Sequence, residues 1–297
     1  MNIFKTILSK NKTQKNKNFK TLKCHPKLNS TIKSHSNKSC LDKKTILLLK
    51  TLWNKRNPDK QIKGKKRNII WNNLKNEMKY VCDNEKCWID KIIDNNHKLK
   101  EKLFAPNAPV TWNKNINEWL SSVDIKKVMK QYEEKYPNFS FIGPSPIDFN
   151  EKVYNDCVWP ELCNFNVQYH LQKDKNKIGI IFNTDPHYKS GSHWIALFID
   201  FEKKTIFYFD SNGNPMPKEI RSFIDNILEQ CKSLNIKMKT DSNEGFRHQD
   251  YNTECGMYCL WFIISNLEKN HNFKYFKSKK VNDKTMEKLR NVYFNLM

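Results

Sequence analysis

The stretch GSHWIALFIDFEKKTIFYFDSNGN, residues 191–214, decides the fold: two β-branched and aromatic runs, WIALFID (194–200) and TIFYFDS (205–211), are joined by a short polar link and flanked by a His and an Asp. Runs of this composition bounded by Gly, Asn and Asp read as strands, and so short a link makes them an antiparallel hairpin. With the turn at DFEK, Asp200 faces Lys203, and His193 faces Asp210 at the open end. Residues directly opposite have Cβ atoms about 5 Å apart, so imidazole and carboxylate come within reach of one another. A carboxylate beside an imidazole fixes its tautomer and stabilises the imidazolium, which makes the pair the orienter and base of a hydrolytic triad still lacking its nucleophile.

A second stretch, HQDYNTECGMYCLWFII (248–264), supplies one. Cys255 stands at the start of an apolar helical run, where unpaired backbone N–H groups and the helix dipole favour a thiolate. Gly256 leaves the backbone room for a substrate carbonyl to approach, and Cys259, one turn on, belongs to the core. Gln249 lies in the polar loop before Cys255, where its side-chain amide can donate to a developing oxyanion together with the Cys255 backbone N–H.

Around these stretches the chain alternates short strands and helices. KIGIIFNTD (177–185) and NIKMKT (235–240) read as further strands, and PNFSFIGPSPIDF (137–149) as an extended, proline-rich segment. PKEIRSFIDNILEQCKSL (217–234) reads as an amphipathic helix, as do residues 255–269 and 283–296, and Ser121 or Ser122 with Asp124 marks another helix start in NINEWLSSVDIKKVMKQYEEKY. Strands mixed with helices, with one direct strand-to-strand connection, define an α+β fold rather than a regular βαβ repeat.

The N-terminal third differs. Residues 1–40 carry ten Lys and no acid, the texture of a disordered tail. From 41 to 105 the pattern is helical, in LDKKTILLLKTLW, NIIWNNLKNEMKYV and CWIDKIIDNNHKLKEKLF, and the prolines of APNAPV (105–110) place a boundary before a C-terminal domain of 106–297. Of the formal net charge of +22, most sits in residues 1–70, with 20 Lys/Arg against 2 Asp/Glu. A block of one sign seeks polyanions, whether nucleic acid, anionic lipid or acidic protein, and DNA is the one candidate activator in a chain that calls for no other cofactor. No apolar run approaches the roughly 20 residues of a membrane span or forms a signal peptide. Nine cysteines without an export signal read as reduced thiols in an intracellular compartment, and the spacings of Cys82 to Cys87 and Cys157 to Cys163 are not those of a zinc knuckle, so no metal is expected.

The order SHWIALFID, FYFDS, HQDYNTECG resembles the Ulp/adenain-type cysteine proteases, with His-Trp on one strand, Asp or Asn ending the next, then Gln, then Cys-Gly opening the central helix. Within that family it is most similar to the polyprotein-processing proteases of large DNA viruses, of the African swine fever virus type, and CLDKK and CDNEKCWI resemble their helical N-terminal arm. The resemblance covers residues 40–297 in outline, with its specific motifs within 183–262. It implies a mixed sheet flanked by helices, with Cys255 as nucleophile, His193 as base and then acid, Asp210 as orienter and Gln249 as oxyanion donor. Trp194 and Trp119 match tryptophans that wall a narrow tunnel for a Gly-Gly pair before the scissile bond, with Trp119 equally suited to a place in the core. The implied function is a viral cysteine endopeptidase that cleaves after Gly-Gly in structural polyproteins, in the virion and the host cytoplasm. Alternatives are a deconjugating protease for SUMO or ubiquitin-like proteins, an acetyltransferase using the same thiol, and a nucleic-acid-binding virion protein on an inactive scaffold.

Overall fold

A computed structural model of the chain describes residues 18–28, 39–251 and 253–296. Contacts divide it into two units, Met1–Ala105 and Pro106–Met297.

The first unit is helical: α1 (Lys43–Arg56), α2 (Arg67–Met78), α3 (Glu85–Ile92) and α4 (His97–Leu103). Asp42 caps α1 by accepting from the Thr45 N–H, and Lys55 and Arg56 lie at its C-terminal end, where the helix dipole favours cations. Leu49, Ile70, Leu74, Trp88 and Ile89 form the core of this unit. The run CWIDKIIDNNHKLKEKLF, expected as one helix, splits into α3 and α4 around Asn95, which takes a positive φ of 49°. The expected disorder of residues 1–40 gives way at 18–28: Phe19 and Leu22 pack on the core, and Cys24 forms a β-bridge with Phe104. Burial of these apolar side chains outweighs the lysines between them. Residues 1–17 and 29–38, the rest of the tail, lie outside the described residues.

In the second unit, α5 (Ser122–Lys135) begins with a reciprocal capping box between Ser121 and Asp124. There follow β1 (Phe139–Pro146), the small hairpin β2 (Lys152–Val153) and β3 (Asp156–Cys157), α6 (Pro160–Cys163), α7 (Val167–Gln172), β4 (Lys177–Asn183), β5 (Trp194–Asp200), β6 (Thr205–Phe209), α8 (Lys218–Ser233), β7 (Lys239–Ser242), α9 (Cys255–Glu268), α10 (Phe273–Ser278) and α11 (Asp283–Tyr293). The sheet runs β1-β4-β5-β6-β7. Its middle pairs are antiparallel, whereas β1 is parallel to β4 and β7 to β6. The fold is therefore α+β with a mixed sheet.

Both sheet faces are covered, which explains why β5 is apolar throughout instead of alternating. Ala196 and Phe198 face the core shared with α5, α9, α10 and α11, while Ile195, Leu197 and Ile199 face α8 and the α6–α7 side. Helix α9 is buried from Cys255 to Leu267, as its unbroken apolar sequence requires. Sequence reading missed β2, β3, α6, α7 and α10, all short, and placed β7 too early. Ile236 and Met238 pack on the core as the chain approaches the sheet, which β7 joins only at Lys239.

The cysteines correct another expectation. Three pairs are disulfide-bonded, Cys24–Cys40, Cys82–Cys87 and Cys157–Cys163, and Cys231, Cys255 and Cys259 are free. Folding brings the Cα atoms of the three pairs to 5.1, 5.5 and 6.3 Å, which sequence spacing alone did not indicate. Among the described residues no helix is long and apolar enough to cross a membrane, and no group of three or more His, Cys, Asp or Glu could hold a metal ion.

Candidate active site

The β5–β6 register differs from the expected one by two residues. Asp200 faces Thr205 and Ala196 faces Phe209, because the turn occupies Phe201–Lys204, with Lys204 at φ 53° and the Lys203 N–H donating to Asp200 Oδ1. A shift of two preserves the face on which each side chain stands, and diagonal neighbours remain within reach of long side chains. His193 and Asp210 accordingly meet just beyond the ladder, with Nε2 to Oδ1 at 2.7 Å. The carbonyl of His193 accepts from the Thr184 N–H at 2.9 Å, which ties the residue to the end of β4.

Asp210 is held on every side. Its backbone N–H donates to Asn243 Oδ1 at 2.9 Å, its carbonyl accepts from Asn243 Nδ2 at 2.6 Å, and its Oδ1 also accepts from the Asn212 N–H at 2.8 Å. The chain turns back at Gly213, whose φ of 71° and whose contact with the Phe246 backbone leave no room for a Cβ.

Cys255 is buried at the first position of α9. No side chain caps this helix start, because the carboxylate of Glu254 turns instead to Arg290. The first N–H groups of α9 are thus left to whatever negative charge forms at the thiol or beside it. Burial lowers the pKa of His193, but hydrogen bonds with Asp210 and Cys255 outweigh it and push the value up to about 9. With Nε2 committed to Asp210, Nδ1 is the nitrogen left for Cys255, and at neutral pH the ring carries a proton.

Gln249 is fully buried, and its orientation is settled by its partners. Its Nε2 donates to the Tyr251 carbonyl, which can only accept, and its Oε1 accepts from Ser211 Oγ at 2.7 Å. One amide proton remains uncommitted among the described residues. Ser211, the neighbour of Asp210, also accepts the Gln249 backbone N–H on its carbonyl at 2.9 Å, so the Gln249 loop is anchored to the strand end that bears Asp210.

A cleft of about 590 Å³ is lined by Trp119, Leu120 and Trp194 on one side and by Trp159, His187 and Gly191 among others. Trp194 donates from Nε1 to the Leu120 carbonyl at 3.0 Å, whereas Trp119 is 38% exposed and so belongs to the cleft wall rather than the core. A Cβ on Gly256 would lie 3.0 Å from Leu120 Cβ and 3.3 Å from Trp194 Cδ1. The glycine after the cysteine therefore lets this wall pack against the start of α9.

Several residues that shape the site escaped sequence reading. Arg290, wholly buried on α11, donates to both carboxylate oxygens of Glu254, to the Glu118 carbonyl at 2.9 Å and to the Thr253 carbonyl, with its guanidinium 4.4 Å from the Trp112 ring centre. It joins the residue before Cys255 to the residue before Trp119. Asn243 and Ser211 act likewise on Asp210 and Gln249. None carries a local motif; only their distant partners give them roles.

With this geometry in place, comparison with known proteins defines the class. The Ulp1 protease family, C-terminal catalytic domain, matches residues 123–296, and the chain belongs to that family of cysteine-type peptidases. Among its relatives, a protein of Acanthamoeba polyphaga mimivirus bearing the name of a thiol protease is 36% identical over 182 residues, 60% of this chain and 57% of that protein. The chain thus spans little more than half the length of that relative. A cysteine protease of African swine fever virus is 27% identical over 235 residues, 72% of this chain and 84% of the viral protein. The crystal structure of the African swine fever virus protease superposes with a TM-score of 0.66 at 23% identity, covering 94% of this chain and 97% of that one, and so shares its fold.

Proposed function

We propose that the chain is a viral cysteine endopeptidase that cleaves after Gly-Gly in structural polyproteins during virion maturation. The observation that carries this reading is the His193–Asp210 hydrogen bond of 2.7 Å, with the same imidazole interacting with Cys255 at the uncapped start of α9. In the reaction, the Cys255 thiolate attacks the carbonyl carbon of the second glycine, and its electron pair forms the C–S bond as the oxygen becomes an oxyanion. The Cys255 backbone N–H and the uncommitted Gln249 amide proton receive that oxyanion. His193, protonated at neutral pH, gives its proton to the leaving amine as the C–N bond breaks, then takes one from the water that hydrolyses the thioester. Asp210 keeps the imidazole oriented throughout.

Trp119, Leu120 and Trp194 support the substrate preference, because an aromatic wall packed onto the start of α9 excludes side chains next to the scissile carbonyl. A Gly-Gly-X peptide is expected to be cut, and the same peptide with Leu as its second residue to be left intact. Equal rates on the two would overturn the specificity.

Deconjugation of SUMO-like proteins is the second reading, favoured by the name SUMO-1 cysteine protease carried by African swine fever virus relatives. A ubiquitin-like fusion cut far faster than a short Gly-Gly peptide would select it. The basic N-terminal residues support a role in holding the enzyme to packaged nucleic acid near its substrates, within the virion and the host cytoplasm, with DNA as an activator. Such binding is expected to weaken steeply with salt, since phosphate contacts release counterions. Salt-insensitive binding would remove this role.

A further inference from the structure

The loop that carries Gln249 meets the central helix at the Tyr258 hydroxyl, directly through the His248 carbonyl at 3.5 Å and more closely through the carboxylate of Asp283, at the first position of α11. Asp283 Oδ2 accepts from the Tyr251 N–H at 2.8 Å and from the Asp250 N–H at 3.1 Å. Its Oδ1 accepts from the Tyr258 hydroxyl at 2.8 Å, and Tyr258 lies on α9 one turn beyond Cys255. The Tyr251 backbone is therefore held on both sides of its Cα: its N–H by Asp283, and its carbonyl by the Nε2 of Gln249. Burial, reinforced by Asp283, holds the Tyr258 phenol protonated far above neutral pH, so it remains a donor. Asp283 itself is 5% exposed and Gln249 0%.

From this geometry we propose that Asp283 is a positioning residue for the oxyanion site, setting the distance between the Gln249 amide and the Cys255 helix start by binding the Asp250–Tyr251 backbone and the α9 side chain Tyr258 in one carboxylate. The proposal rests on the cysteine-protease reading, and assigns Asp283 no contact with substrate. Ser211 fixes one end of the Gln249 amide. Asp283, through the Tyr251 carbonyl, fixes the other. If the carboxylate is lost, the Tyr251 peptide is free to move, the committed Nε2 proton loses its direction, and the second amide proton no longer points at the oxyanion. The thiol and imidazole are untouched by this change, because neither contacts Asp283.

The test is a kinetic comparison of the full chain with Asp283→Ala and Asp283→Asn on a fluorogenic Gly-Gly-X peptide, together with the rate of Cys255 alkylation by iodoacetamide. Alkylation needs the thiolate but no oxyanion donor. Asn can keep the geometry: its Oδ1 accepts the two loop N–H groups, and its Nδ2 donates to the Tyr258 oxygen, whose proton turns to the Val281 carbonyl at 2.8 Å. The expected result is a fall in kcat of about 30- to 100-fold for Asp283→Ala, somewhat below the loss from deleting an oxyanion donor outright. KM and the alkylation rate stay within about twofold of wild type, and Asp283→Asn keeps kcat within about threefold. Wild-type kcat in Asp283→Ala overturns the proposal, as does a loss in which kcat and alkylation collapse together and Asp283→Asn is equally damaged, since that describes unfolding rather than positioning. A wild-type chain that cleaves no Gly-Gly peptide or ubiquitin-like fusion overturns the protease reading and this role with it. The two failures are thus distinct.

Discussion

His193 Nε2 reaches Asp210 Oδ1 across 2.7 Å although neither residue belongs to the β5–β6 ladder: His193 stands one position before β5 and Asp210 one position after β6. The ladder sets their faces, and the Asn243 clasp and the His193 carbonyl bond to Thr184 set their separation. The site is therefore built by contacts outside the strands that display it.

The raised pKa of His193, about 9, makes stability depend on pH. The folded state holds the proton more tightly than the unfolded state, whose imidazole titrates near 6.5. The stabilisation is thus complete below about pH 6.5 and is lost as pH rises through about 9. Urea unfolding at pH 6, 7.5 and 9 is expected to show falling stability across that window, with a smaller slope in Asp210→Ala. An unchanged slope in that variant would mean that the carboxylate does not hold the imidazolium.

Asn243→Ala removes the partner of the buried Asp210 N–H and one of the two donors to the Asp210 carbonyl, which keeps the Gly213 N–H at 2.9 Å. Leaving the N–H unsatisfied costs about 1 to 3 kcal/mol, and the released Asp210 should lower kcat at least tenfold. Urea unfolding and peptide kinetics measure the two effects, and wild-type values in either would show the clasp to be dispensable.

Gly256→Ala places a Cβ 3.0 Å from Leu120 Cβ. Leu120 must shift, and with it the carbonyl that accepts from Trp194 Nε1. Overpacking of this kind costs about 1 to 3 kcal/mol, and because the cleft wall moves, KM for a Gly-Gly peptide is expected to rise more than kcat falls. A change in kcat alone would place the effect at the nucleophile.

Arg290→Met strands Glu254 in a site where burial already raises its carboxyl pKa. Breaking a buried pair from one side costs about 3 to 5 kcal/mol, whereas removing both charges is far milder. The double variant Arg290→Met/Glu254→Gln is expected to be more stable in urea than Arg290→Met alone. If it is less stable, the ion pair is not what links α11 to the start of α9.

Much of this was legible because the signals are local. Apolar runs bounded by Gly, Asn and Pro marked β4, β5 and β6, and the Ser121 and Asp124 capping box marked α5, since each depends on neighbours in sequence. The hairpin register was misjudged by two residues because turn length depends on the conformation of Lys204, which the letters FEKK do not disclose. His193, Asp210, Gln249 and Cys255 could be singled out because their order is distinctive. Arg290, Asn243 and Asp283 could not, since the partners that give them their roles lie 25 or more residues away and only the tertiary fold brings them together. The disulfide pairs were missed for a related reason: spacing along the chain says nothing about which Cα atoms folding brings close.

The central claim is that Cys255, activated by His193, carries out peptide cleavage. Its most direct test is hydrolysis of a fluorogenic Gly-Gly-X peptide by the chain and by Cys255→Ala, under mild reduction at neutral pH. Cleavage by the first and none by the second is the expected result; equal cleavage by both, or none by the folded wild-type chain even with DNA supplied, would contradict it.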